Sequence, residues 1–370
     1  MFSEFDSQMM LRAIELAKRG VYTTAPNPNV GCVITLGEEI IGEGFHFRAG
    51  EPHAEVHALR AAGDRVKGAT AYVTLEPCSH YGRTPPCADA LVAAGVSRVV
   101  CAMVDPNPQV AGRGIQRLRD AGIHVDVGLF QADAEALNPG FIKMMKSGLP
   151  YVQLKLASSL DGRTALSNGE SKWITGSEAR ADVQAFRAKA GAVLSTSQTV
   201  IDDNPSLNVR WEQLPQTVQA EYAQADLRQP VRVILDTHGK VSSDAHLFSL
   251  EGSIVLLTAA PDQVACHDGV EVVAIEQGNN GLNLDAAMRA LAARGINHIW
   301  VEAGATLAGS LLSAGLVDEL IVYQAPKLMG TDSRALVNLS GITSMDEVPA
   351  YRLTDVARIG NDVRLRMQKP

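Results

Sequence analysis

The feature that most constrains the fold of this chain is a repeated alternation of short apolar strands with amphipathic helices. Between residues 1 and 147, apolar runs are followed by helical stretches that end at glycine, as at Gly63. Two runs that follow each other directly, around Gly37, predict a β-hairpin. Such a β–α–β–α series predicts a three-layer α/β/α domain in which helices cover a sheet.

A second α/β domain is predicted in the rest of the chain. Gly148 and Pro150 interrupt the pattern, and a new strand begins at Tyr151. Strands and helices then alternate again, around a polar stretch at 212–230 that contains two prolines and reads as an excursion between elements. We therefore predict two domains, 1–147 and 148–370.

Composition excludes several classes of partner. The chain has 33 Lys and Arg against 41 Asp and Glu, a net charge of −8, and only 5% aromatic residues. It lacks the basic excess and the stacking surface that nucleic-acid binding requires. No apolar run has transmembrane length, and the amphipathic N-terminal stretch resembles a helix more than a signal peptide. We expect a cytoplasmic protein with no nucleic-acid or membrane partner, whose apolar strands would allow a homo-oligomer.

His53, Cys78 and Cys87 are the candidate metal ligands. Two thiolates and one neutral imidazole are a typical zinc set, and three protein ligands leave a fourth position for water. Zinc lowers the pKa of such water toward ~7, which allows attack on an electron-poor ring carbon. The other cysteines lack partners at ligand spacing and are predicted to be packing residues: Cys32, Cys101 and Cys266.

Glu55 is the candidate catalytic residue, because a carboxylate two positions after His53 can move a proton from the water to a ring nitrogen and the departing amine. His-x-Glu followed by Pro-Cys-x-x-Cys is the signature of zinc nucleobase deaminases. Here the two cysteines are nine positions apart, which leaves the ligand geometry open. The alternative is that both cysteines are buried small hydrophobic residues.

Four blocks of the first domain resemble the bifunctional riboflavin-biosynthesis deaminase–reductases: PNPNVG at 26–31, GEPHAE at 50–55, TLEPCSHYGRTPPC at 74–87 and DPNPQVAGRG at 105–114. The resemblance implies a cytidine-deaminase-like fold and a phosphorylated substrate, 2,5-diamino-6-ribosylamino-4(3H)-pyrimidinone 5′-phosphate, whose 2-amino group is replaced by oxygen. Candidate substrate contacts are Asn27, His46, Arg83, Asp105 and Asn107. Each could instead be a polar residue that stabilises its loop.

A turn in the second domain has the geometry of an anion site. Residues 299–310 read as a strand, a glycine turn and a helix start, which aims backbone N–H groups at a ligand. Gly304 and Gly309 would permit close approach, and Thr306 and Ser310 would add hydroxyl donors. The G-x-G-x-x-G pattern is absent, so a Rossmann site is not predicted. Simple packing of strand on helix is the alternative.

The second domain resembles the reductase half of the same family in LKLASSLDGR at 154–163, SKWIT at 171–175, DNPSLNVR at 203–210 and VEAG at 301–304. This implies a dihydrofolate-reductase-like α/β fold and NADPH-dependent reduction of the ribosyl unit to ribityl. The implied cofactor contacts are Ala157, Trp173, Thr199, Asp203, Thr237, Gly304, Ala305, Thr306, Leu307, Ala308, Gly309 and Ser310. The implied substrate contacts are Ser171, Arg187, Leu207, Arg210 and Glu302.

The residue types suit these roles. Arg187 and Arg210 could clamp a 5′-phosphate through bidentate hydrogen bonds, and Glu302 could bind pyrimidine donors or sugar hydroxyls. Lys155 and Asp203 are both candidates to supply a proton or to polarise C1′. The choice of NADPH over NADH rests on the resemblance.

Two other classes of function compete. The chain could be a nucleic-acid editing zinc deaminase with an appended binding module, which the net charge and the insert before Cys87 disfavour. It could also be an inactive, zinc-stabilised regulatory protein, which Glu55 disfavours because a structural zinc site has no use for such a carboxylate.

Overall fold

The protein has two compact units, Met1–Gly148 and Leu149–Pro370. Each unit has its own sheet and its own apolar core, and both are α/β, so the predicted fold class is confirmed. The computed structural model describes residues 2–79, 85–108, 110–264, 269–278 and 281–370.

The first unit is built from short strands and helices. Its strands are β1 (Gly31–Leu36), β2 (Glu39–Phe45), β3 (Thr70–Val73), β4 (Arg98–Cys101) and β5 (His124–Val127). Its helices are α1 (Glu4–Lys18), α2 (Ala54–Ala62), α3 (Cys87–Ala94), α4 (Arg113–Asp120), α5 (Gln131–Ala136) and α6 (Pro139–Ser147).

The strands of the first unit form one mixed sheet in the order β2-β1-β3-β4-β5. β1 is antiparallel to both β2 and β3, whereas β3, β4 and β5 are parallel. The predicted hairpin is confirmed, with Gly37 at a positive φ of 61° in its turn. α5 and α6 were not predicted from the pattern.

Close approach of α2 to the sheet depends on Gly44 in β2. A Cβ at this position would lie 2.5 Å from the Ala54 carbonyl oxygen and 2.6 Å from the His57 Cβ. Only glycine therefore lets the first turn of α2 rest on the strand. Any larger residue would displace the segment that contains His53 and Glu55.

The second unit is larger. Its strands are β6 (Tyr151–Ser159), β7 (Arg163–Ala165), β8 (Ala192–Thr196), β9 (Val231–Leu235), β10 (Ile254–Thr258), β11 (Val270–Ala274), β12 (Gln277–Gly278), β13 (Gly281–Leu282), β14 (His298–Glu302), β15 (Glu319–Ala325), β16 (Arg334–Ala335), β17 (Arg352–Ile359) and β18 (Asp362–Gln368). Its helices are α7 (Ser177–Lys189), α8 (Ser197–Asp203), α9 (Gln216–Glu221), α10 (Leu284–Ala292) and α11 (Ala305–Ser313).

A nine-stranded sheet organises this unit in the order β11-β10-β9-β8-β14-β6-β15-β18-β17. The strands from β11 to β15 in that order are parallel, and β18 and β17 complete the edge as an antiparallel hairpin. Separate apolar clusters pack on the sheet. The terminal hairpin was not predicted, and the polar stretch at 212–230 contains the short α9 between two 3-10 turns, Trp211–Gln213 and Gln224–Asp226.

Two of the predicted packing cysteines, Cys32 and Cys101, are completely buried in the core of the first unit. The third, Cys266, lies outside the described residues. Burial raises the pKa of both core thiols, so neither is a reactive thiolate.

Candidate active sites

Two helix starts and one strand end place the predicted zinc ligands. His53 precedes α2 with an extended backbone, and Cys87 is the first residue of α3. Cys78 lies in the loop that follows β3. The partial positive charge at a helix N-terminus favours a thiolate nearby. The local structure therefore favours the binding of a cation by two sulfur ligands at this position.

The three side chains converge. Their donor atoms all lie within 4.8 Å of one another. His53 Nδ1 is 3.3 Å from Cys87 Sγ and 3.6 Å from Cys78 Sγ. Zinc bonds of about 2.0–2.3 Å in a tetrahedral arrangement separate donor atoms by roughly 3.5 Å. Both the donor chemistry and the spacing fit a zinc ion, and the nine-position separation of the cysteines does not prevent it.

The hydrogen bond between the two cysteines shifts the pKa values of their thiols in opposite directions. The Cys87 thiol donates to the Cys78 sulfur and holds the pKa of Cys78 at about 4, and the Cys87 backbone N–H adds a bond of 3.3 Å. The same contact raises the pKa of Cys87, and the bond to Cys78 raises the pKa of His53. These contacts favour the thiolate form of Cys78, and bound Zn²⁺ would favour deprotonation of both cysteines.

Glu55 lies in the first turn of α2, directly beside this triad, and is only 3% exposed. Burial raises the pKa of its carboxyl, although the charge of His53 opposes this shift. A carboxyl whose pKa is raised can accept and release a proton near neutral pH. The position and the environment both suit a proton carrier.

Asn27 and His46 form a hydrogen-bonded pair next to the triad. The Asn27 amide nitrogen donates to His46 Nε2 at 3.1 Å, and His46 Nδ1 donates to the Pro52 carbonyl at 3.1 Å. Burial lowers the pKa of His46, which keeps the ring neutral and able to accept. Its ring also contacts the His53 ring edge to face, at 5.3 Å between centroids. Both ring nitrogens of His46 thus bind the protein, and the side chain orients Asn27.

Two further predicted contacts, Asp105 and Asn107, lie in the loop after β4. The Asp105 carboxylate accepts a 2.9 Å hydrogen bond from the Asn107 backbone N–H, an Asx turn that shapes the loop after β4. Arg83 lies outside the described residues, so its predicted phosphate contact stays a prediction.

Sequence reasoning missed Glu76. Its buried carboxylate accepts four backbone N–H bonds, from Asp105, Gly112, Gly114 and Ile115, at 2.8–3.2 Å. An acidic residue between an apolar strand and Pro77-Cys78 was the only signal in the sequence.

In the second unit, many of the predicted residues lie at the carboxyl ends of parallel strands. β9, β8, β14 and β6 are neighbours in that order. Open α/β sheets bind ligands in the crevice outside these ends. Predicted residues at or near the strand ends are Ala157, Thr199, Thr237, Glu302 and Gly304.

The predicted strand–turn–helix is confirmed. β14 ends at Glu302, and α11 begins at Ala305. Gly304 has an extended backbone, and no side chain caps the helix start. A Cβ at Gly304 would meet nothing within 4 Å, so the turn is open to an approaching group. The exposed Thr306 lies in the same first turn.

Gly309, predicted to permit close approach of a ligand, lies against protein backbone. A Cβ there would lie 1.9 Å from the Asn338 carbonyl oxygen, so this glycine accommodates protein backbone. Leu307 and Ala308 are buried in the apolar core. The Ser310 hydroxyl donates to the carbonyl one turn earlier, at 3.1 Å. Only the beginning of the predicted 304–310 turn faces outward.

Arg187 and Glu302 bind each other. Arg187 Nε and Nη2 donate to the two Glu302 carboxylate oxygens at 2.5 and 2.8 Å, and Nη1 donates to the Asn208 carbonyl at 2.9 Å. Trp300 Nε1 also donates to Glu302, at 2.8 Å. Burial raises the pKa of the Glu302 carboxyl, but the positive charge of Arg187 outweighs this effect and lowers the pKa to about 2. The two residues predicted to bind separate parts of a substrate are therefore one buried ion pair.

Arg210 and Lys155 border this pair. Arg210 is exposed, and its backbone N–H donates to the Gln184 side chain at 3.1 Å. Burial and the neighbouring charge of Arg187 lower the pKa of Arg210. Lys155 is the register partner of Glu302 across β6 and β14. Burial lowers the pKa of Lys155, while Glu302 opposes the shift.

Lys172, the sequence neighbour of Trp173, forms an ion pair with Asp203. Lys172 Nζ is 2.9 Å from Asp203 Oδ1, which joins the loop at 171–175 to the end of α8. Trp173 is 64% exposed, and the Arg180 guanidinium lies 4.5 Å from its ring centroid. A large exposed aromatic side chain at a strand-end crevice suits a cofactor ring.

Ser171 lies in the loop at 171–175, and Leu207 lies in the loop that follows α8. Ser171 opens the 171–175 loop, where its carbonyl accepts from the Ile174 backbone N–H at 3.1 Å. Leu207 is buried and has a positive φ of 51°, which is rare for a residue with a branched side chain. Such backbone conformations are concentrated at functional sites.

Comparisons with known proteins assign both units. Residues 3–103 match the cytidine and deoxycytidylate deaminase zinc-binding region, and residues 150–365 match the RibD C-terminal domain. The riboflavin biosynthesis protein RibD of Escherichia coli K12 is 54% identical over 98% of this chain and 99% of its own length. The chain belongs to the RibD family. The Haemophilus influenzae RibD is also 54% identical, over 98% of this chain and 97% of its own length.

Solved structures agree over the full length. Acinetobacter baumannii RibD superposes with a TM-score of 0.90 at 47% identity, covering 99% of both chains. A Thermotoga maritima diaminohydroxyphosphoribosylaminopyrimidine deaminase/5-amino-6-(5-phosphoribosylamino)uracil reductase gives 0.87 at 32% identity, with the same coverage. The protein is therefore a two-domain RibD enzyme with a zinc-binding deaminase domain and an NADPH-dependent reductase domain.

The family assignment also bears on the alternatives. An editing deaminase with an appended nucleic-acid module is not favoured, because the second domain is the RibD C-terminal domain. Within the part of the chain that the structure describes, no helix is both long and apolar enough to cross a membrane.

Proposed function

We propose that the chain catalyses two consecutive steps on one phosphorylated pyrimidine. The first unit would deaminate 2,5-diamino-6-ribosylamino-4(3H)-pyrimidinone 5′-phosphate. The second would reduce the ribosyl group to ribityl, giving 5-amino-6-ribitylaminouracil 5′-phosphate. The observation that carries this proposal is the convergence of His53, Cys78 and Cys87 beside the buried Glu55, in a chain of the RibD family.

In the deamination, His53, Cys78 and Cys87 would hold zinc, which when bound would supply Lewis-acid activation of a water molecule. Glu55 would accept one proton of the attacking water and deliver it to a ring nitrogen, and would then transfer the proton of the newly formed hydroxyl group to the leaving amino group. A C–O bond forms at C2, the C–N bond breaks, and ammonia departs. Asn27, oriented by His46, binds a polar edge of the pyrimidine through its amide.

In the reduction, bound NADPH would supply the hydride for C1′ of the open-chain sugar. Trp173 and the open start of α11 border the cofactor, and Arg210 offers its guanidinium to the 5′-phosphate. The side chains of Arg187 and Glu302 bind each other, and this ion pair would form the floor of the site. Lys155, beside Glu302, is better placed than the Lys172-bound Asp203 to polarise C1′ or supply the proton.

The test follows the order of the steps. The full-length protein is incubated with the diaminopyrimidine phosphate, with and without NADPH, while ammonia release and NADPH absorbance are recorded. We expect ammonia without NADPH, and NADPH oxidation only after deamination. NADH at the same concentration tests the cofactor preference.

Two results would contradict the proposal. One is NADPH oxidation before any ammonia appears, which would reverse the order of the steps. The other is deamination of tRNA or single-stranded DNA with a steep dependence on salt, which would identify a nucleic-acid substrate. The cytoplasmic location and a homo-oligomer stay predictions.

A further inference from the structure

The Glu76 carboxylate joins two loops of the deaminase domain. Glu76 Oε2 accepts the backbone N–H groups of Asp105 and Gly112 at 3.0 and 2.9 Å. Its Oε1 accepts those of Gly114 and Ile115 at 2.8 and 3.2 Å. The residue is only 4% exposed. All four donors come from the loop after β4 and the first turn of α4.

A carboxylate is the side chain that can satisfy this arrangement. Its two oxygens offer about four acceptor positions, whereas a glutamine amide would set an NH₂ group against backbone donors. The N-terminus of α4 also favours a negative charge at this point. Burying an ionised group without such bonds is strongly unfavourable. The network is therefore specific to a carboxylate and is not a general packing contact.

The backbone around the network prevents the loop from moving independently. A Cβ at Gly114 would lie 2.0 Å from the Pro77 carbonyl oxygen, so α4 begins in direct contact with the residue before Cys78. Gly112 has a positive φ of 77°, which residues with side chains rarely adopt. The loop is thus held against the segment that contains one zinc ligand.

This loop contains Asp105 and Asn107, two of the predicted substrate contacts. Glu76 binds the backbone N–H of Asp105 directly, and the Asp105 carboxylate binds that of Asn107 at 2.9 Å. We propose that Glu76 is a positioning residue of the deaminase site: it holds the backbone of Asp105 and the start of α4 at the distance from Cys78 at which the pyrimidine is bound. The inference rests on the proposed deaminase function.

The test uses three variants of the full-length protein: Glu76→Gln, Glu76→Asp and the control Glu43→Gln. Glu43 pairs with Arg12 at the surface of the same unit, outside the site. Deaminase KM and kcat, zinc content and urea unfolding are measured for each. Reductase activity on the deaminated substrate provides an internal check on the second unit.

We expect Glu76→Gln to raise the KM for deamination by about 10-fold or more, the effect of losing roughly one charged hydrogen bond. Zinc should stay near one per chain, and kcat should fall less than KM rises. Glu76→Asp keeps both carboxylate oxygens and should show a smaller increase in KM than Glu76→Gln. If Glu76→Gln does not fold, the KM of Glu76→Asp tests the positioning role. The control should match the wild type.

Either of two results would overturn the inference. If both Glu76 variants unfold at lower urea concentration but keep the wild-type KM, the residue only stabilises the fold. If zinc is lost, Glu76 supports the ligand Cys78 and not the substrate loop. A wild-type protein that releases no ammonia from the pyrimidine would instead refute the proposed function, and this arm is measured first.

Discussion

The two active sites are assembled in different ways. In the deaminase domain, the ligand atoms of His53, Cys78 and Cys87 already converge, and no large rearrangement is needed to hold an ion. In the reductase domain, Arg187 and Glu302 neutralise each other in a buried ion pair. The ligands of the first site are therefore placed to bind a metal ion, whereas two charged residues of the second site bind each other.

The difference shows what kind of site each sequence pattern can describe. Metal ligands have few possible partners and strict distances, so residue type and local spacing are informative. Arginine and glutamate can bind a substrate or each other, and both arrangements use the same bidentate geometry. Only the positions of α7 and β14 reveal which one the protein uses.

Removal of zinc should have the largest effect and should separate the two sites completely. After chelation, deamination should fall to background because the ligand triad is the centre of that site. Reductase activity on the deaminated substrate should persist, since its predicted residues lie in another compact unit. Both activities are measured on one sample, and Zn²⁺ addition should restore the first. Parallel loss of both activities would contradict the separation.

Glu55→Gln should come next. Removing the proton carrier should lower deaminase kcat by roughly 10²–10⁴-fold. Zinc content should stay near one per chain, because Glu55 is not part of the triad. Glu43→Gln is the matched surface control. Loss of zinc in Glu55→Gln but not in the control would mean that Glu55 holds the metal site together instead of moving protons.

Arg187→Met tests the ion pair of the reductase domain. It leaves the Glu302 carboxylate buried without its partner, which typically costs about 3–5 kcal/mol. All three tryptophans of the chain, Trp173, Trp211 and Trp300, lie in this unit, so tryptophan fluorescence during urea unfolding reports on it selectively.

The control for this variant is Arg289→Met, which breaks the exposed pair with Asp285 and should change stability by less than about 0.5 kcal/mol. If Arg187→Met is as stable as this control, the buried pair does not stabilise the domain. Arg187 would then be free to bind the phosphate, as the sequence suggested.

The same pair predicts a smaller, graded response to pH. The pKa of Glu302 is lowered to about 2, against about 4.3 for a free glutamate. Its contribution to stability is therefore complete above about pH 4.3 and is lost as the pH falls through 2, an effect of up to a few kcal/mol. Urea unfolding followed by tryptophan fluorescence should show this slope, and Glu302→Gln should reduce it. An unchanged slope in that variant would place the acid sensitivity elsewhere.

Much of the fold could be predicted from local pattern. Glycine stops and apolar periodicity indicated the hairpin at Gly37 and the end of α2 at Gly63, because both depend on neighbouring residues. The β17–β18 hairpin was missed although Val363, Leu365 and Met367 of β18 alternate with polar residues after the turn at Gly360. The contact of Gly309 with the Asn338 backbone could not be predicted, because Asn338 is distant in sequence.

By itself, the sequence indicated the α/β class, the family resemblance, the candidate zinc ligands and a candidate proton carrier, since these depend on residue types and motifs at short spacings and at element ends. Only the tertiary structure decided which charges are already paired and which loops are tied together. Glu302 with Arg187, His46 with Asn27, and Glu76 with the backbone of the 105–115 loop are contacts between distant segments. Their partners are chosen by the packing of whole elements, which no local pattern records.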